Sequence, residues 1–241
     1  MLTTRLNGGL ANQLFQIAAA YALALDNNDE CAFYLDSPVI NQGNCARTYK
    51  ANILKNIKEL IFDWQPESIW QEPDLNYHPI PYHKNMMLIG YFGSEKYFAH
   101  HREEIIRLFK SPMPRLHNCS SLHVRRGDYL KFTNVFYCLD AEYYQKALRH
   151  IDSDIIYVLS DDIEWCKNNL NDDRLFYPKG QSDWEDLLLM AVCDHNIIAN
   201  STFSWWGSYL NENPDKIVIA PKKWHTEEIS KDIYCNNWIL I

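Results

Sequence analysis

The sequence predicts an α/β protein with parallel sheets in two domains. Residues 2–35 have the order strand, glycine turn, helix, strand, which is typical of such sheets. The second half of the chain repeats one pattern three times: a short apolar strand ends in a polar cluster, and a helix follows. Between the two halves stand Pro112 and Pro114, and two prolines so close together indicate a linker.

The first domain opens with a predicted strand over Leu2–Leu6 and a turn at Gly8 and Gly9. Apolar residues then recur at helical spacing over Leu14–Leu25, and a second strand is predicted over Cys31–Leu35. The stretch from 41 to 83 is irregular, with only short helices. It precedes a buried strand over Met87–Tyr91 and a helix over Glu95–Phe109.

The second domain carries its polar clusters where predicted strands end. These strands are Ser121–Val124, Ile155–Leu159 and Asn196–Ala199, and a further strand over Lys216–Ala220 follows them. Ser182 and Glu185 form a capping box that begins a helix between the second and third strands. Because ligands bind beyond the carboxyl ends of parallel strands, the three clusters should line one ligand site.

The composition excludes several classes of function. A formal net charge of −8 is unsuited to a nucleic-acid surface, which needs clustered Lys and Arg. Seven cysteines without a Cys-x-x-Cys pair argue against a zinc site or a disulfide framework and favour a reducing compartment. The N-terminus has no apolar stretch suited to a signal peptide or a membrane span, so we expect a cytoplasmic protein.

Two adjacent arginines, Arg125 and Arg126, follow the first strand of the second domain. Side chains alternate along a strand, so both can enter one cleft only if the chain turns, and Gly127 indicates such a turn. We expect Arg125 to fork two oxygens of a diphosphate, while Arg126 braces the loop through Asp128. The alternative is a purely structural Arg–Asp pair.

The third strand leads into a helix start that carries hydroxyl groups at Ser201, Thr202 and Ser204. The N–H groups of a helix N-terminus hold phosphate well, although such a residue often only caps the helix. At the end of the second strand, Asp161 and Asp162 could bind a metal or accept hydrogen bonds from a guanine ring or ribose hydroxyls.

Other ligand motifs are absent or misplaced. Asp152 and Asp154 have the spacing of a metal-binding pair, but they precede a strand and so lie at the opposite sheet edge. The chain has no phosphate-binding P-loop motif, and its first glycine loop lacks the third glycine of a dinucleotide fingerprint. That loop remains a tight turn which lets Asn12 and Gln13 approach a ligand.

Four sequence blocks occur in a fixed order along most of the chain. They are GGLANQLFQ at 8–16, HVRRGDY at 123–129, SDD at 160–162 with Trp165, and NSTFSWWG at 200–207. In this order they resemble the α-1,2-fucosyltransferases of glycosyltransferase family eleven. The resemblance implies a GT-B fold of two Rossmann-like domains, GDP-β-L-fucose as the donor substrate, inversion at the anomeric carbon, no metal or other cofactor, and a terminal galactose as the acceptor.

The resemblance also implies roles for parts of the chain. Residues 1–112 form an acceptor-side domain and 113–241 a GDP-sugar-binding domain, whose last residues could pack back on the first. His123 lies near the guanine or ribose, Arg125 contacts the diphosphate, and Asp161 contacts the guanine or ribose. The remaining donor-side residues are Arg126, Asp162, Ser201, Thr202, Phe203 and Ser204, and the cleft-facing loop comprises Gly8, Gly9, Asn12 and Gln13. Ala11 departs from the second glycine usual in the family, and the chain is short for it.

The acceptor hydroxyl must lose a proton as it attacks, and Asp128 is the predicted base. Asp128 could instead only brace the turn, or the proton could leave late without a side-chain base. Two other functions stay open at this stage: a fucosyltransferase of another linkage such as α-1,6, and a module that binds GDP-sugars or glycans without turnover.

Overall fold

The computed structural model describes residues 1–37, 43–227 and 230–241. They belong to two compact units: unit 1 is Met1–Lys110 with Ile229–Cys235, and unit 2 is Ser111–Glu228 with Asn236–Ile241. The chain thus passes from one unit to the other two residues before the predicted boundary. Each unit contains a parallel sheet and helices, so the predicted α/β class is confirmed.

Unit 1 contains a parallel sheet whose described strands are β1 (Leu2–Thr4), β2 (Ser68–Gln71) and β3 (Met86–Ile89), in the order β1-β3-β2. Helix α1 (Leu10–Asp26) follows β1, as predicted, and 12 of its 17 residues are buried. Most of these buried residues are apolar, and a helix that is apolar on most sides is buried on most sides. Many of them are alanines, whose small side chains let neighbouring elements pack closely. A short 3-10 helix spans Ala46–Tyr49.

Two predicted elements of unit 1 are wrong. The predicted strand over Cys31–Leu35 is not continuous. Cys31 makes a single parallel bridge to Leu2, and Phe33 makes another to Glu59, so the segment changes its pairing partner within three residues. The predicted helix over Glu95–Phe109 is split at a buried phenylalanine, Phe98, whose backbone leaves the helical region while its ring packs 6.0 Å from that of Phe15. The resulting pieces are 3-10 helices over Glu95–Tyr97 and Ala99–His101, then α2 (Arg102–Leu108).

The predicted irregular stretch from 41 to 83 contains β2, which the sequence analysis missed. This strand lies at the edge of its sheet, and its apolar residue Ile69 is exposed. The apolar pattern therefore does not follow burial there. Residues 41 and 42 of that stretch lie outside the described residues.

Unit 2 contains a parallel sheet with β4 near its centre, in the order β6-β5-β4-β7-β8-β9 among the described residues. Its strands are β4 (Cys119–Val124), β5 (Ile155–Ser160), β6 (Leu175–Phe176), β7 (His195–Ile197), β8 (Val218–Ala220) and β9 (Ile239–Leu240). Its helices are α3 (Ala141–Leu148), α4 (Ile163–Asn169), α5 (Asp183–Val192) and α6 (Thr202–Tyr209). The capping box predicted at Ser182 and Glu185 begins α5. The helix predicted beyond the first polar cluster is α3, whereas β6 and β9 were missed by the sequence analysis.

Successive residues of β4 and β5 enter different apolar clusters. Leu122 and Val158 pack in a cluster with residues of α3 and α4, whereas Cys119 and Leu159 pack with residues of α5. This alternation is the two-residue period of a strand whose sheet is covered on both faces.

The register of the sheet brings the predicted polar clusters to one edge. Val124 pairs with Ser160, and Leu122 pairs with Ile197, so β4, β5 and β7 end nearly level. The residues that follow these strands therefore share the carboxyl edge, where parallel sheets bind ligands.

Candidate active site

A tight turn follows β4 and carries the first polar cluster. The Leu130 N–H donates to the Arg126 carbonyl at 2.9 Å, and the Lys131 N–H donates to the Asp128 carbonyl at 2.9 Å. A Cβ atom at Gly127 would lie 2.8 Å from Oδ2 of Asp161. A larger residue at 127 would therefore displace the Asp161 carboxylate, so the turn and the end of β5 are fitted to each other.

Arg125 lies between two carboxylates. Its guanidinium is 2.7 Å from Oδ1 of Asp128 and 3.0 Å from Oδ2 of Asp161, and its side chain is 33% exposed. The prediction that Asp128 pairs with Arg126 is wrong: the turn brings Asp128 back to Arg125, three residues earlier. Arg125 is thus held in place and still reachable from solvent.

Arg126 is the more enclosed arginine, with its side chain 15% exposed. Its Nε donates to Oδ2 of Asp162 at 3.1 Å, and its guanidinium lies 4.0 Å from the ring centre of Trp165. Asp162 also caps α4, because its Oδ1 accepts from the Trp165 N–H at 3.1 Å. Arg126 therefore joins the turn to the start of α4. It braces the turn as expected, but through Asp162 instead of Asp128.

His123 is buried at the end of β4 and faces the start of α6. Its Nδ1 lies 2.9 Å from the Ser204 hydroxyl, and its ring centre is 5.3 Å from that of Phe203. Burial, together with the charge of Arg125, lowers the pKa of His123 to about 3. The imidazole is therefore neutral near pH 7 and can offer one donor and one acceptor.

The start of α6 is anchored on several sides. The Ser201 side chain caps the helix by accepting from the Phe203 N–H at 3.3 Å. Asn200 donates to the carbonyls of Tyr137 and Trp224, each at 2.7 Å, and the Tyr129 hydroxyl donates to the Asn200 carbonyl at 2.8 Å. Thr202 and Phe203 in the first turn are half-buried. The structure thus brings a hydrogen-bonded helix N-terminus to the edge that also carries His123.

The strand-end charges do not sum to a positive site. The two guanidiniums of Arg125 and Arg126 stand against the three carboxylates of Asp128, Asp161 and Asp162, which gives a formal charge of −1. Arg125 is already neutralised by its two partners. A diphosphate bound at this edge would therefore have to displace a carboxylate from Arg125 or rely on N–H donors of α6.

Asp186, in the first turn of α5, was missed by the sequence analysis. Burial, and next the charges of Asp183 and Glu185, raise the pKa of its carboxyl to about 6. It receives no hydrogen bond or ion pair from the described part of the chain. A helix that connects parallel strands runs antiparallel to them, so α5 begins at the same carboxyl edge. The available signal was the position of this carboxylate, one helical turn before the buried Met190 of α5.

In unit 1, the predicted cleft-facing loop is a positive-φ turn at Gly8, with φ of 78°. A Cβ there would lie 2.7 Å from the Asn12 side chain. The expectation for Gln13 is wrong: it is fully buried, and its Nε2 donates to the carbonyls of Gly8 and Asn44 at 2.9 and 2.8 Å. Gln13 holds the loop, while the predictions for Gly9 and Asn12 stay predictions.

Candidate metal ligands fall in different parts of the fold. Asp161 and Asp162 are engaged by the arginines, and Asp154, beside the start of β5, accepts from the Asn118 side chain. Within the described residues, one group of three side chains could bind a metal ion. It lies in unit 1 and consists of Asp26, His100 and His101. No helix in the described ranges is long and apolar enough to cross a membrane. All seven cysteines are free thiols.

Comparison with known proteins gives a match along the whole chain. The family model for glycosyl transferase family 11 matches residues 1–241. Two Escherichia coli proteins are each 30% identical to the chain. One is the O-antigen biosynthesis glycosyltransferase WbnK, for which the match covers 97% of this chain and 98% of the relative. The other is an alpha-1,2-colitosyltransferase, for which the match covers 100% of this chain and 99% of the relative. The galactoside 2-alpha-L-fucosyltransferase SEC1 of Bos taurus is 28% identical, with 87% and 64% covered.

Proposed function

Because this chain belongs to glycosyl transferase family 11, and is thus a glycosyltransferase, we propose that it is a galactoside 2-α-L-fucosyltransferase. It takes L-fucose from GDP-β-L-fucose and transfers it to the 2-hydroxyl of a terminal galactose, with inversion at the anomeric carbon. The proposal includes a GT-B fold of two Rossmann-like domains, which two units with parallel sheets support. It also places the enzyme in the cytoplasm, where seven free thiols would stay reduced.

The observation that carries this proposal is the meeting of three groups at the carboxyl edge of unit 2. They are the guanidinium of Arg125, the N-terminus of α6 and the neutral imidazole of His123. Guanidinium and helix N–H groups stabilise a diphosphate as it leaves, and a neutral imidazole suits a nucleoside, which carries no charge there. We therefore assign the diphosphate to Arg125 and α6, and the guanosine to the region of His123 and Phe203.

The carboxylates have distinct proposed roles. Asp161 releases Arg125 to the diphosphate and accepts hydrogen bonds from guanine or ribose instead, which removes one negative charge from the path of the leaving group. Asp186 is a second candidate for such a contact, since it is half-buried and carries no partner among the described residues. Asp162 stays with Arg126 and holds the turn.

In the proposed reaction, the acceptor oxygen attacks the anomeric carbon from the face opposite the diphosphate. The bond to GDP breaks, and Arg125 with the N–H groups of α6 meets the charge that develops, without a metal. Asp128 takes the acceptor proton. It pairs with Arg125 at 2.7 Å, and passage of Arg125 to the diphosphate would free it to act as a base.

A second candidate donor follows from one comparison. The relative that matches 100% of this chain is named alpha-1,2-colitosyltransferase. The same site could therefore transfer colitose from an activated donor with the same linkage. The nucleotide contacts would be shared by both donors, so the choice between them depends on the residues around the sugar ring.

The test is a transfer assay on the full chain with GDP-fucose, with nucleotide-activated colitose, and with a panel of β-galactosides. We expect GDP release to depend on acceptor and NMR to show an α-1,2 linkage from GDP-fucose. Transfer of colitose alone would establish the second candidate. An α-1,6 product, or tight GDP binding with no release from either donor, would overturn the proposal.

A further inference from the structure

A cluster of two histidines and one aspartate lies in unit 1 and includes none of the residues assigned above to the donor site. Asp26 is the last residue of α1, and His100 and His101 are adjacent in a 3-10 helix 74 and 75 positions later. Nε2 of His100 is 3.0 Å from Oδ2 of Asp26, and Nε2 of His101 is 2.8 Å from Oδ1. Both imidazoles thus direct the same ring nitrogen at one carboxylate.

The charges at this point call for a cation. The carboxyl end of a helix carries partial negative charge, and α1 ends on an aspartate with no basic residue in its last turn. Two imidazoles face this carboxylate, and their ring centres are 4.5 Å apart. A cation bound among the three side chains would offset the negative charge at the end of the helix.

We propose that Asp26, His100 and His101 bind a divalent transition-metal ion of the Zn²⁺ type through two imidazole nitrogens and one carboxylate oxygen. The three ligand atoms lie within 4.8 Å of one another. Zinc bonds of about 2.0–2.2 Å to N and O ligands place neighbouring ligands roughly 3.3 Å apart in a tetrahedron. The observed separations of 2.8 and 3.0 Å between nitrogen and oxygen need to widen by only a few tenths of an ångström.

The exposure of the ligands allows that movement. The side chains of His100, His101 and Asp26 are 48%, 24% and 42% exposed, so none is fixed by packing on all sides and water can supply a fourth ligand. A bound ion would tie the end of α1 to the 3-10 helix. Its role is to stabilise unit 1, because none of its ligands belongs to the proposed donor site.

Titration calorimetry with ZnCl₂ tests this on the full, tag-free chain after dialysis against EDTA and then buffer. We expect one ion per chain and a melting temperature that rises by about 5–10 °C at one hundred times the dissociation constant. Co²⁺ should give visible absorption bands with a tetrahedral intensity. The variants His101→Gln and Asp26→Asn should each weaken binding at least ten-fold.

The matched control is His78→Gln. His78 also pairs with a carboxylate in unit 1, Asp74, at 3.0 Å, but without a second histidine. This variant should bind Zn²⁺ like the unchanged chain. Absence of one-to-one binding would overturn the proposal, as would equal affinity in the His101→Gln and Asp26→Asn variants, or an equal loss in His78→Gln. Melting curves in EDTA establish that each variant is folded, and fucosyl transfer is not the readout.

Discussion

Replacement of Arg125 by alanine tests the proposed charge stabilisation most directly. The guanidinium of Arg125 is held by Asp128 and Asp161 at 2.7 and 3.0 Å, and these contacts would position it for a leaving diphosphate. If Arg125 serves the reaction, its loss should affect the transition state more than the folded state. If it only joins two carboxylates, the order of the two effects should be reversed.

The structure gives a bound for each effect. Both ion pairs of Arg125 are partly exposed, and such pairs contribute about 0–1 kcal/mol each to stability, so the folded state should lose at most about 2 kcal/mol. Removal of a charge-stabilising donor from an active site costs about 3 kcal/mol of transition-state free energy. That corresponds to a fall in kcat/KM of roughly 150-fold.

The lysine variant separates charge from geometry. An ammonium keeps the positive charge but cannot fork two phosphate oxygens, so Arg125→Lys should recover less than about ten-fold of the lost rate. The assays are kcat/KM for fucosyl transfer, GDP affinity by calorimetry, and thermal melting. Arg149→Ala is the matched control, since Arg149 is an exposed arginine at the end of α3, and it should change none of them.

Two results would refute the reasoning about Arg125. Near-normal transfer by Arg125→Lys would mean that forked binding of the diphosphate is not needed. Unchanged GDP affinity in Arg125→Ala, together with a melting temperature lowered by more than about 10 °C, would make the arginine a structural brace.

Four further predictions follow from the same edge of the sheet. Arg126→Ala should lower the free energy of unfolding in urea by about 2 kcal/mol, because the ion pair and the cation–π contact are both lost, and an unchanged midpoint would contradict the bracing role. Asp128→Asn should reduce transfer by 10² or more with GDP affinity and melting temperature preserved, whereas full transfer would exclude a base at this position. Excess EDTA should leave the transfer rate unchanged, and a loss that Mg²⁺ or Mn²⁺ reverses would make the carboxylates at the end of β5 metal ligands. Asp186→Asn should raise the melting temperature at pH 7.5 but not at pH 4. The reason is that a carboxyl whose pKa rises to about 6 on folding opposes folding once it ionises. Equal changes in melting temperature at both pH values would contradict the burial of the Asp186 carboxyl.

The sequence predicted the strand ends of unit 2 because their signals are local. An apolar run followed by Arg125, Asp161 or Ser201 needs only strand periodicity and helix-capping chemistry to be recognised. It could not predict which carboxylate each arginine contacts, since that depends on how tightly the turn at Gly127 approaches Asp161. In unit 1, the misassigned strand at Cys31 shows the same limit. Its apolar residues gave a strand pattern, but the sequence could not show that its pairing partners change from one bridge to the next.

Asp161 contacts both the turn after β4 and the guanidinium of Arg125. Its Oδ1 accepts from the backbone N–H of Arg126 at 2.9 Å, while its Oδ2 binds the guanidinium of Arg125. One carboxylate therefore shapes the turn and neutralises the arginine assigned to the diphosphate. Since the surrounding cluster has a formal charge of −1, an anionic donor gains little from this edge until Asp161 changes partners. If Asp161 contacts the base or ribose as proposed, a nucleotide-linked donor would supply that exchange and a bare diphosphate would not. The proposed site should therefore favour a nucleotide-linked sugar over free pyrophosphate.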